Sequence, residues 1–344
     1  MTLVMFSAKY NMQLLMGDTL LSNKIPNLFR PNTADSSSNL KSDENTYPSS
    51  QIQKIMIIRD WLVIGWAGLL SKANIFVSEL QQLCPNIITC REDFGSILEK
   101  LTSHDENDFQ AIAWIYLDGE INDVIGINTV PFMHDESTSL LLIGSGTPDI
   151  YQSYLDTELT RPVSNIIEHV ANALGFMNRA NAAQYYNNFG FNNGWGGGLE
   201  IIVRTPNGFT KIGNCLMRTW TYDSETKEFS INDKSYLMHY IGEYLFFISI
   251  KYGNNPEICR ISMPNSILKS KFIKRKMYFH IETTIDTIFN KNNRKFMTLV
   301  DRNTKGIYNF SVEKNGDYTM NCRNPFYAIS ENLKNDIDDF IRDE

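Results

Sequence analysis

The sequence predicts an α+β fold in which antiparallel sheets pack between layers of helices. Pairs of apolar segments joined by short polar turns predict hairpins. Segments with an apolar residue every three or four positions predict helices between the hairpins. The 344 residues, 42% of them hydrophobic, are enough to bury a sizeable core. Length alone allows one large domain or two ordinary ones.

Two hairpins and one loop are predicted for the first seventy residues. The first hairpin combines TLVMFSA with MQLLMGDTLLS across the turn KYN, and the second combines KIMIIR with LVIGWAG. The segment between them, residues 31–52, is rich in Ser, Asn and Asp and has almost no apolar residue. Such a composition does not repay the entropy of ordering, so we expect a flexible loop there.

The next hundred residues predict helices and strands in alternation. Ser71 is placed to cap a first helix, and Phe94 opens the apolar face of a second. The runs AIAWIYL and INDVIGI, separated by a turn at Asp118-Gly119, predict a third hairpin, and SLLLIGSG predicts a further buried strand. Thr160-Arg161-Pro162 predicts the start of a long helix. On that helix His169 lies off the apolar face and is expected at the surface.

The chain changes character after a Gly/Asn-rich bend and one more hairpin. Aromatic strands such as EYLFFISIKY dominate the last third, and an acidic helix is predicted around residues 328–343. We therefore expect a first domain over residues 2–213 and a mostly β C-terminal extension over residues 214–344.

Composition excludes several functional classes. The net charge of −7 and the acidic pI disfavour nucleic acid as a partner. Five cysteines without a C-x-x-C pair indicate a reducing compartment. No apolar run is long enough to span a membrane, and no cleavage site follows Lys9, so Met1 is expected to begin a cytoplasmic chain.

No metal or cofactor is predicted. Phosphate-loop and dinucleotide-binding patterns are not found in the sequence. The cluster His134-Asp135-Glu136 is interpreted as a solvated turn, because adjacent loop residues rarely converge on one ion. The alternating basic and apolar residues over 269–280 are interpreted as one amphipathic strand.

Four short motifs together point to a family. They are Met1-Thr2, Gly17-Asp18, Lys54 at the start of KIMIIRDWLVIGWAG, and the strand end IGSG at 143–146. In order and approximate spacing they resemble the N-terminal nucleophile hydrolases, in particular the proteasome β subunits and the bacterial threonine protease HslV. The resemblance covers residues 2 to about 213. It implies a four-layer αββα sandwich, with the C-terminal extension added to it.

The resemblance implies Thr2 as the nucleophile once Met1 has been removed. At a chain terminus the hydroxyl attacks a carbonyl, and the free α-amine of the same residue accepts the proton. An α-amine has an ordinary pKa of about 7.7 to 8.0, close to the useful range. The alternative is that Thr2 is an unremarkable second residue.

The resemblance also assigns the supporting residues. Lys54 lowers the effective pKa of the Thr2 amine and hydroxyl, Asp18 orients Lys54, and Ser145 bonds the terminal amine. The backbone N–H of Gly68 serves the oxyanion. The alternatives are a solvated Lys54 leaving the polar loop, a turn-forming Asp18, and a Gly68 needed only for a tight bend.

One departure from the family pattern affects the expected activity. Proteasome β subunits carry Asp-x-x-Ser-Gly-Gly, and the matching segment here has Asn193 and Gly196 in place of Asp and Ser. Asn193 is retained as a possible supporting residue, although it supplies no charge. Three functions therefore remain: an amide hydrolase or peptidase, an inactive scaffold or binding module, and an acyl or peptidyl transferase. The expected partners are a peptide or other amide substrate and further copies of the chain, in a ring or another assembly.

Overall fold

A computed structural model of the chain describes most of its residues. The described ranges are 2–9, 12–26, 29–34, 40–42, 45–101, 108–117, 123–129, 132–135, 138–148, 166–205, 208–223, 225–226, 228–251, 257–264, 277–281, 283–290, 296–301, 306–312 and 318–322.

Two antiparallel sheets form the centre of the first two thirds of the chain. Their strands are β1 (Val4–Lys9), β2 (Met12–Asp18), β5 (Ile55–Arg59), β6 (Leu62–Gly68), β7 (Phe109–Ile115), β8 (Asp123–Ile127), β9 (Phe132–Asp135), β10 (Thr138–Ile143), β11 (Leu199–Thr205) and β12 (Gly208–Lys211). One sheet has six strands in the order β12-β11-β2-β1-β10-β9, and the other has four in the order β5-β6-β7-β8. The hairpins predicted from the apolar runs are thus formed.

The two sheets face each other across a dry apolar layer. Because successive side chains of a strand point to opposite faces, alternate residues of β1 and β6 meet in this layer. Its buried members are Val4, Phe6, Leu15, Ile55, Val63, Ala67, Ile112, Trp114, Leu141, Ile143 and Ile202. The ends of β2, β5 and β6 are therefore held close together, which positions the candidate site.

Two helices cover the outer face of the four-stranded sheet. Helix α1 is Leu70–Leu83, and α2 is Arg91–Leu98. Their apolar sides pack on the alternate residues of β6 and β7. Helix α1 begins one residue before Ser71, with Leu69 at its N-cap, so the predicted cap at Ser71 is wrong. Helix α2 has Cys90 at its N-cap and a capping box completed by Asp93.

Helix α3 (Ile166–Asn187) lies between the six-stranded sheet and a third sheet. The third sheet consists of β13 (Cys215–Asp223), β14 (Glu228–Ile241), β15 (Tyr244–Lys251), β16 (Glu257–Ile261), β18 (Thr283–Asn290) and β19 (Phe296–Asp301). Strands β13 and β18 are parallel, and its other strand pairs are antiparallel. Strands β17 (Met277–Ile281), β20 (Gly306–Val312) and β21 (Tyr318–Cys322) form a separate small sheet. The predicted α+β class, with mostly antiparallel sheets, is confirmed.

Apolar residues from before and after position 213 share one core around α3. Its buried members include Leu3, Met16, Leu142, Leu174, Met177, Ile201, Met217, Tyr236, Phe247 and Ile285. The Asn178 side chain of α3 donates to the carbonyl oxygens of Arg218 and Ile285 in the third sheet, and a buried ion pair joins Arg218 to Asp286 within that sheet. The boundary at residue 213 remains a prediction.

Two sequence-based expectations are wrong. The loop predicted over 31–52 contains strand β4 (Tyr47–Gln51), which pairs with β3 (Leu20–Asn23). The Asn32 side chain donates to the carbonyl oxygens of Phe247 and Glu257, at 3.0 and 3.1 Å, so part of the loop is anchored to the third sheet. His169 is buried, because the third sheet covers α3 on the side opposite the six-stranded sheet.

Four further expectations concern other parts of the chain. His134 and Asp135 lie in strand β9 and not in a turn. The turn at 118–119, the helix start at 160–162 and the acidic helix at 328–343 lie outside the described residues. Within the described residues, no helix combines the length and apolar character needed to cross a membrane.

Candidate active site

The structure brings the Asp18 carboxylate and the Lys54 ammonium together at the ends of two facing strands. Asp18 ends β2, and Lys54 directly precedes β5. Asp18 Oδ1 lies 2.8 Å from Lys54 Nζ, and both side chains are fully buried. Lys54 Nζ also donates to the carbonyl oxygen of Leu20. The alternative of a solvated Lys54 is therefore wrong.

Asp18 also organises the backbone around the start of the chain. Its Oδ1 accepts the N–H of Leu3 at 2.8 Å, and its Oδ2 accepts the N–H groups of Leu20 and Gly196 at 3.2 and 2.9 Å. One carboxylate thus links the residue after Thr2, the strand β3 and the Gly-rich segment. Four donors on one buried carboxylate offset its cost of desolvation.

Burial and charge act in opposite directions on Lys54. Burial lowers the pKa of its ammonium from the ordinary value of 10.5, and the nearby Asp18 carboxylate opposes that shift. The Glu200 carboxylate is a further negative charge that raises the Lys54 pKa. The lowered pKa of Lys54 is closer to the pH at which a catalytic group works than the pKa of a surface lysine is.

Ser145 contacts the backbone nitrogen of Thr2. Its Oγ accepts the Thr2 N–H at 3.3 Å and donates to the carbonyl oxygen of Asn193 at 2.6 Å. Thr2 is fully buried. Asn193 was expected to contribute its side chain, whereas the contact found here uses its main chain. A main-chain carbonyl is present in any residue at position 193, so this contact does not depend on the side chain there.

Two glycines of the IGSG segment allow the backbone to approach Thr2. Gly144 has φ +92°, and a Cβ there would lie 2.1 Å from the Thr2 carbonyl oxygen. The N–H of Gly146 donates to that same oxygen at 3.1 Å. Gly144 is therefore required both for its conformation and for the space it leaves.

Gly68 lies at the end of β6, two residues after a backbone contact to Lys54. The Trp66 N–H donates to the Lys54 carbonyl oxygen at 3.0 Å. Gly68 has φ +109°, and a Cβ there would lie 2.1 Å from the Asp108 carbonyl oxygen. The bend requires glycine; the oxyanion role remains a prediction.

Several residues at the site were not identified from sequence. Glu200 is fully buried and accepts from Lys211 Nζ at 3.2 Å and from the Tyr240 hydroxyl at 3.4 Å. Burial raises the Glu200 pKa, and the Lys211 ammonium opposes the shift. Gln53 accepts from Lys211 as well. The sequence feature that could have identified this group is the single carboxylate in the otherwise apolar strand LEIIV.

Two of the cysteines among the described residues are poor candidates for a nucleophile. Burial raises the pKa of the Cys84 thiol to about 11 and that of Cys259 to about 12, which makes both poor nucleophiles. No group of three or more metal-binding side chains occurs in the part of the chain that is described.

A cavity of about 610 Å³ lies beside the Glu200 group. Its lining includes Val170, Leu174, Lys211, His239 and Tyr240, so α3, β12 and β14 form its walls. Thr2, Asp18, Lys54 and Ser145 do not line it. The cavity is therefore separate from the candidate nucleophile.

Comparisons with known proteins give little support for an assignment. No protein-family model matches the sequence, and no curated protein matches it. Among solved structures, the chain is similar to "Anbu (Gly-1) mutant from Hyphomicrobium sp. strain MC1", with 14% identity and a TM-score of 0.39. That match covers 62% of this chain and 86% of the other. A likeness this weak supports neither a family assignment nor an activity.

Proposed function

We propose that this chain is a proteasome-like N-terminal threonine amide hydrolase with the αββα sandwich of that family. The observation that carries the proposal is the Asp18 carboxylate, which binds both the buried Lys54 ammonium and the N–H of the residue after Thr2. Fully buried ion pairs are costly, and perturbed lysines are concentrated at functional sites.

In the proposed mechanism, removal of Met1 exposes the α-amine of Thr2. The charged Lys54 lowers the pKa of that amine, so that the neutral form is available as the base near neutral pH. The amine accepts the hydroxyl proton as Thr2 Oγ1 attacks the amide carbonyl. Ser145 Oγ orients the amine, and the Gly68 N–H stabilises the oxyanion.

An acyl-enzyme ester then forms as the amide C–N bond breaks and the leaving amine takes the proton. Water attacks the ester carbonyl, regenerates the Thr2 hydroxyl and releases a carboxylic acid. An amine that takes the place of water gives transfer instead of hydrolysis. Mass analysis of the products with and without an added amine distinguishes these outcomes.

A second candidate is an inactive scaffold of the same fold. It is favoured by the full burial of Thr2 and by Asn193 and Gly196, which replace the acid and the hydroxyl of the family pattern. A scaffold needs the fold but neither Met1 removal nor access to Thr2. In either case, assembly into a homo-oligomer in the cytoplasm, as a ring or in another arrangement, is part of the proposal, and analytical ultracentrifugation tests the assembly.

Covalent labelling tests the nucleophile. Purified protein is first examined by intact mass and N-terminal sequencing for loss of Met1, and then treated with a β-lactone or an epoxyketone. We expect one adduct per chain in the wild type and none in Thr2→Ala. Thr287→Ala serves as the control, because Thr287 is equally buried but belongs to the third sheet.

Retention of Met1, or an adduct that persists in Thr2→Ala, contradicts the hydrolase. Loss of Met1 without any Thr2-dependent adduct favours the scaffold. Labelling that is lost in Thr287→Ala as well indicates a folding defect and not a missing nucleophile.

A further inference from the structure

A buried carboxylate occupies an otherwise apolar stretch of strand β11. Glu200 is fully buried between Leu199 and Ile201 in sequence. Across the sheet it is paired with Gly17 of β2. Paired residues of neighbouring strands project to the same face, and a Cβ at Gly17 would lie 3.7 Å from the Lys54 Cβ. The Glu200 side chain therefore lies on the face that Lys54 occupies.

The surroundings of Glu200 hold its carboxylate from several strands. Lys211 on β12 and Tyr240 on β14 bond to Oε1, and the backbone N–H of Lys54 also favours the charged form. The Tyr240 pKa is well above its ordinary value, first because of burial and then because of Glu200. The phenol therefore remains a neutral donor to the carboxylate.

The same region ties the residue before Lys54 to the third sheet. Gln53 Nε2 donates to the carbonyl oxygens of Glu243 and Ile261, at 2.6 and 2.9 Å. Its Oε1 accepts from Lys211. Contacts from β12, from β16 and from the turn between β14 and β15 thus converge on the short segment that carries Lys54.

We propose that Glu200 is a positioning residue for Lys54 and that Tyr240 of the third sheet holds it in place. The inference rests on the proposed function, since it assigns a second carboxylate to the same lysine. Asp18 bonds the ammonium directly, whereas Glu200 acts through its charge. The cluster then contains two negative charges, on Asp18 and Glu200, and two positive charges, on Lys54 and Lys211. Its net charge is therefore zero.

In this arrangement the third sheet contributes to the candidate site. The Glu200 charge favours the charged form of Lys54 against the effect of burial. A charged Lys54 in turn favours a neutral Thr2 amine. Tyr240 and the carbonyl oxygens of Glu243 and Ile261 belong to the residues after 213. Those residues therefore help to set the protonation state on which the mechanism depends.

Substitution of Glu200 by glutamine tests the proposal through pH. The titratable groups that face the cluster are Asp18, Lys54, Lys211 and Tyr240, with Cys215 next to Tyr240. The rate of Thr2 labelling is measured against pH in the wild type, Glu200→Gln and Tyr240→Phe. Asp286→Asn is the control, since it removes another buried, paired carboxylate from the third sheet.

We expect the pH range of labelling in Glu200→Gln to narrow from its alkaline side. The alkaline limb moves to lower pH because Lys54 loses its proton more readily without the Glu200 charge. The acid limb does not move to higher pH, because Lys54 is charged at acidic pH in both proteins. Each pH unit of movement corresponds to roughly a tenfold change in rate on that limb. Tyr240→Phe moves the alkaline limb in the same direction as Glu200→Gln does, but by less. Asp286→Asn moves neither limb.

A lower labelling rate with unmoved limbs in both variants overturns the proposal, because a merely structural role lowers the rate at every pH. If Glu200→Gln does not fold, Tyr240→Phe decides alone.

If the wild type is not labelled at all, the hydrolase fails, but Glu200 is still tested by NMR titration of ¹³C-lysine. The Lys54 signal, identified by its loss in Lys54→Met, must titrate at lower pH in Glu200→Gln; an unchanged titration overturns the proposal.

Discussion

Asp18 Oδ1 and Lys54 Nζ lie 2.8 Å apart with both side chains fully buried. The pair joins the last residue of β2 to the residue before β5, and so connects the two facing sheets at one end. Because the same oxygen accepts the Leu3 N–H, a change in this pair is transmitted to the residue beside Thr2. The stability of the fold and the geometry of the candidate site therefore depend on one carboxylate.

Lys54→Met is expected to destabilise the protein strongly. Breaking a buried ion pair leaves a buried charge without its partner, which costs about 3–5 kcal/mol in the free energy of unfolding. Urea denaturation measures this loss. The control is Arg91→Met, because the Arg91–Asp123 pair is largely exposed and exposed pairs contribute only about 0–1 kcal/mol. Similar losses in both variants would contradict the importance of the buried pair.

Ser145→Ala is expected to reduce Thr2 labelling far more than it reduces stability. The substitution removes the oxygen that accepts the Thr2 N–H and donates to the Asn193 carbonyl. Loss of such hydrogen bonds costs about 0.5–1.5 kcal/mol of stability each, while loss of a group that orients a catalytic base lowers the rate by about tenfold to a hundredfold. Labelling kinetics and thermal denaturation are compared. Ser49→Ala, which removes a hydrogen bond to Leu21, is the control.

The importance of the close approach at Gly144 is tested by substitution with alanine. A Cβ at Gly144 would lie 2.1 Å from the Thr2 carbonyl oxygen, whereas nothing lies within 4 Å of a Cβ at Gly242. Both glycines have positive φ, at +92° and +57°, so both substitutions carry backbone strain. Gly144→Ala should therefore lose labelling and more stability than Gly242→Ala, for which about 1 kcal/mol is expected. Equal losses would mean that strain alone explains the effect.

The parts of the site that were predictable lie at the ends of strongly patterned segments. Alternating apolar residues and polar turns identified the hairpins, and these place Asp18 and Lys54 at the ends of strands in two different sheets. Their positions follow from local signals and from a short motif. The roles of Thr2, Ser145 and Gly68 in catalysis remain predictions that the labelling experiments address.

The remaining features depend on contacts between distant parts of the chain. Glu200 and Lys211 lie on the paired strands β11 and β12, but Tyr240 meets them only because the third sheet packs beside the first, and no local pattern carries that information. His169 was placed at the surface from the single apolar face of its helix, but a helix between two sheets is covered on both sides. Asn32 likewise finds its partners more than two hundred residues away.

The pH dependence of stability should reveal the raised pKa of Glu200. Burial raises its pKa above the ordinary value of 4.5. At pH values between 4.5 and the raised pKa, the folded state therefore binds more protons than the unfolded state. The wild type should then lose stability as the pH rises through that window. Glu200→Gln should not show this loss. Chemical denaturation at a series of pH values measures the difference, with Glu243→Gln as an exposed control; parallel curves for wild type and Glu200→Gln would contradict the raised pKa.

Lys234 should restrain the segment before β4. Its Nζ donates to the carbonyl oxygens of Asn32 and Ala34 at 3.1 and 3.2 Å. In Lys234→Met these carbonyl groups lose a charged donor, and such hydrogen bonds contribute about 1.5–3 kcal/mol. We therefore expect hydrogen exchange over residues 29–34 to accelerate about tenfold or more, since local opening becomes easier. Lys24→Met, at an exposed position, should leave the exchange unchanged. Equal exchange in the two variants would show that the segment is held by its apolar contacts, such as those of Ala34 with Leu20 and Phe191, and not by Lys234.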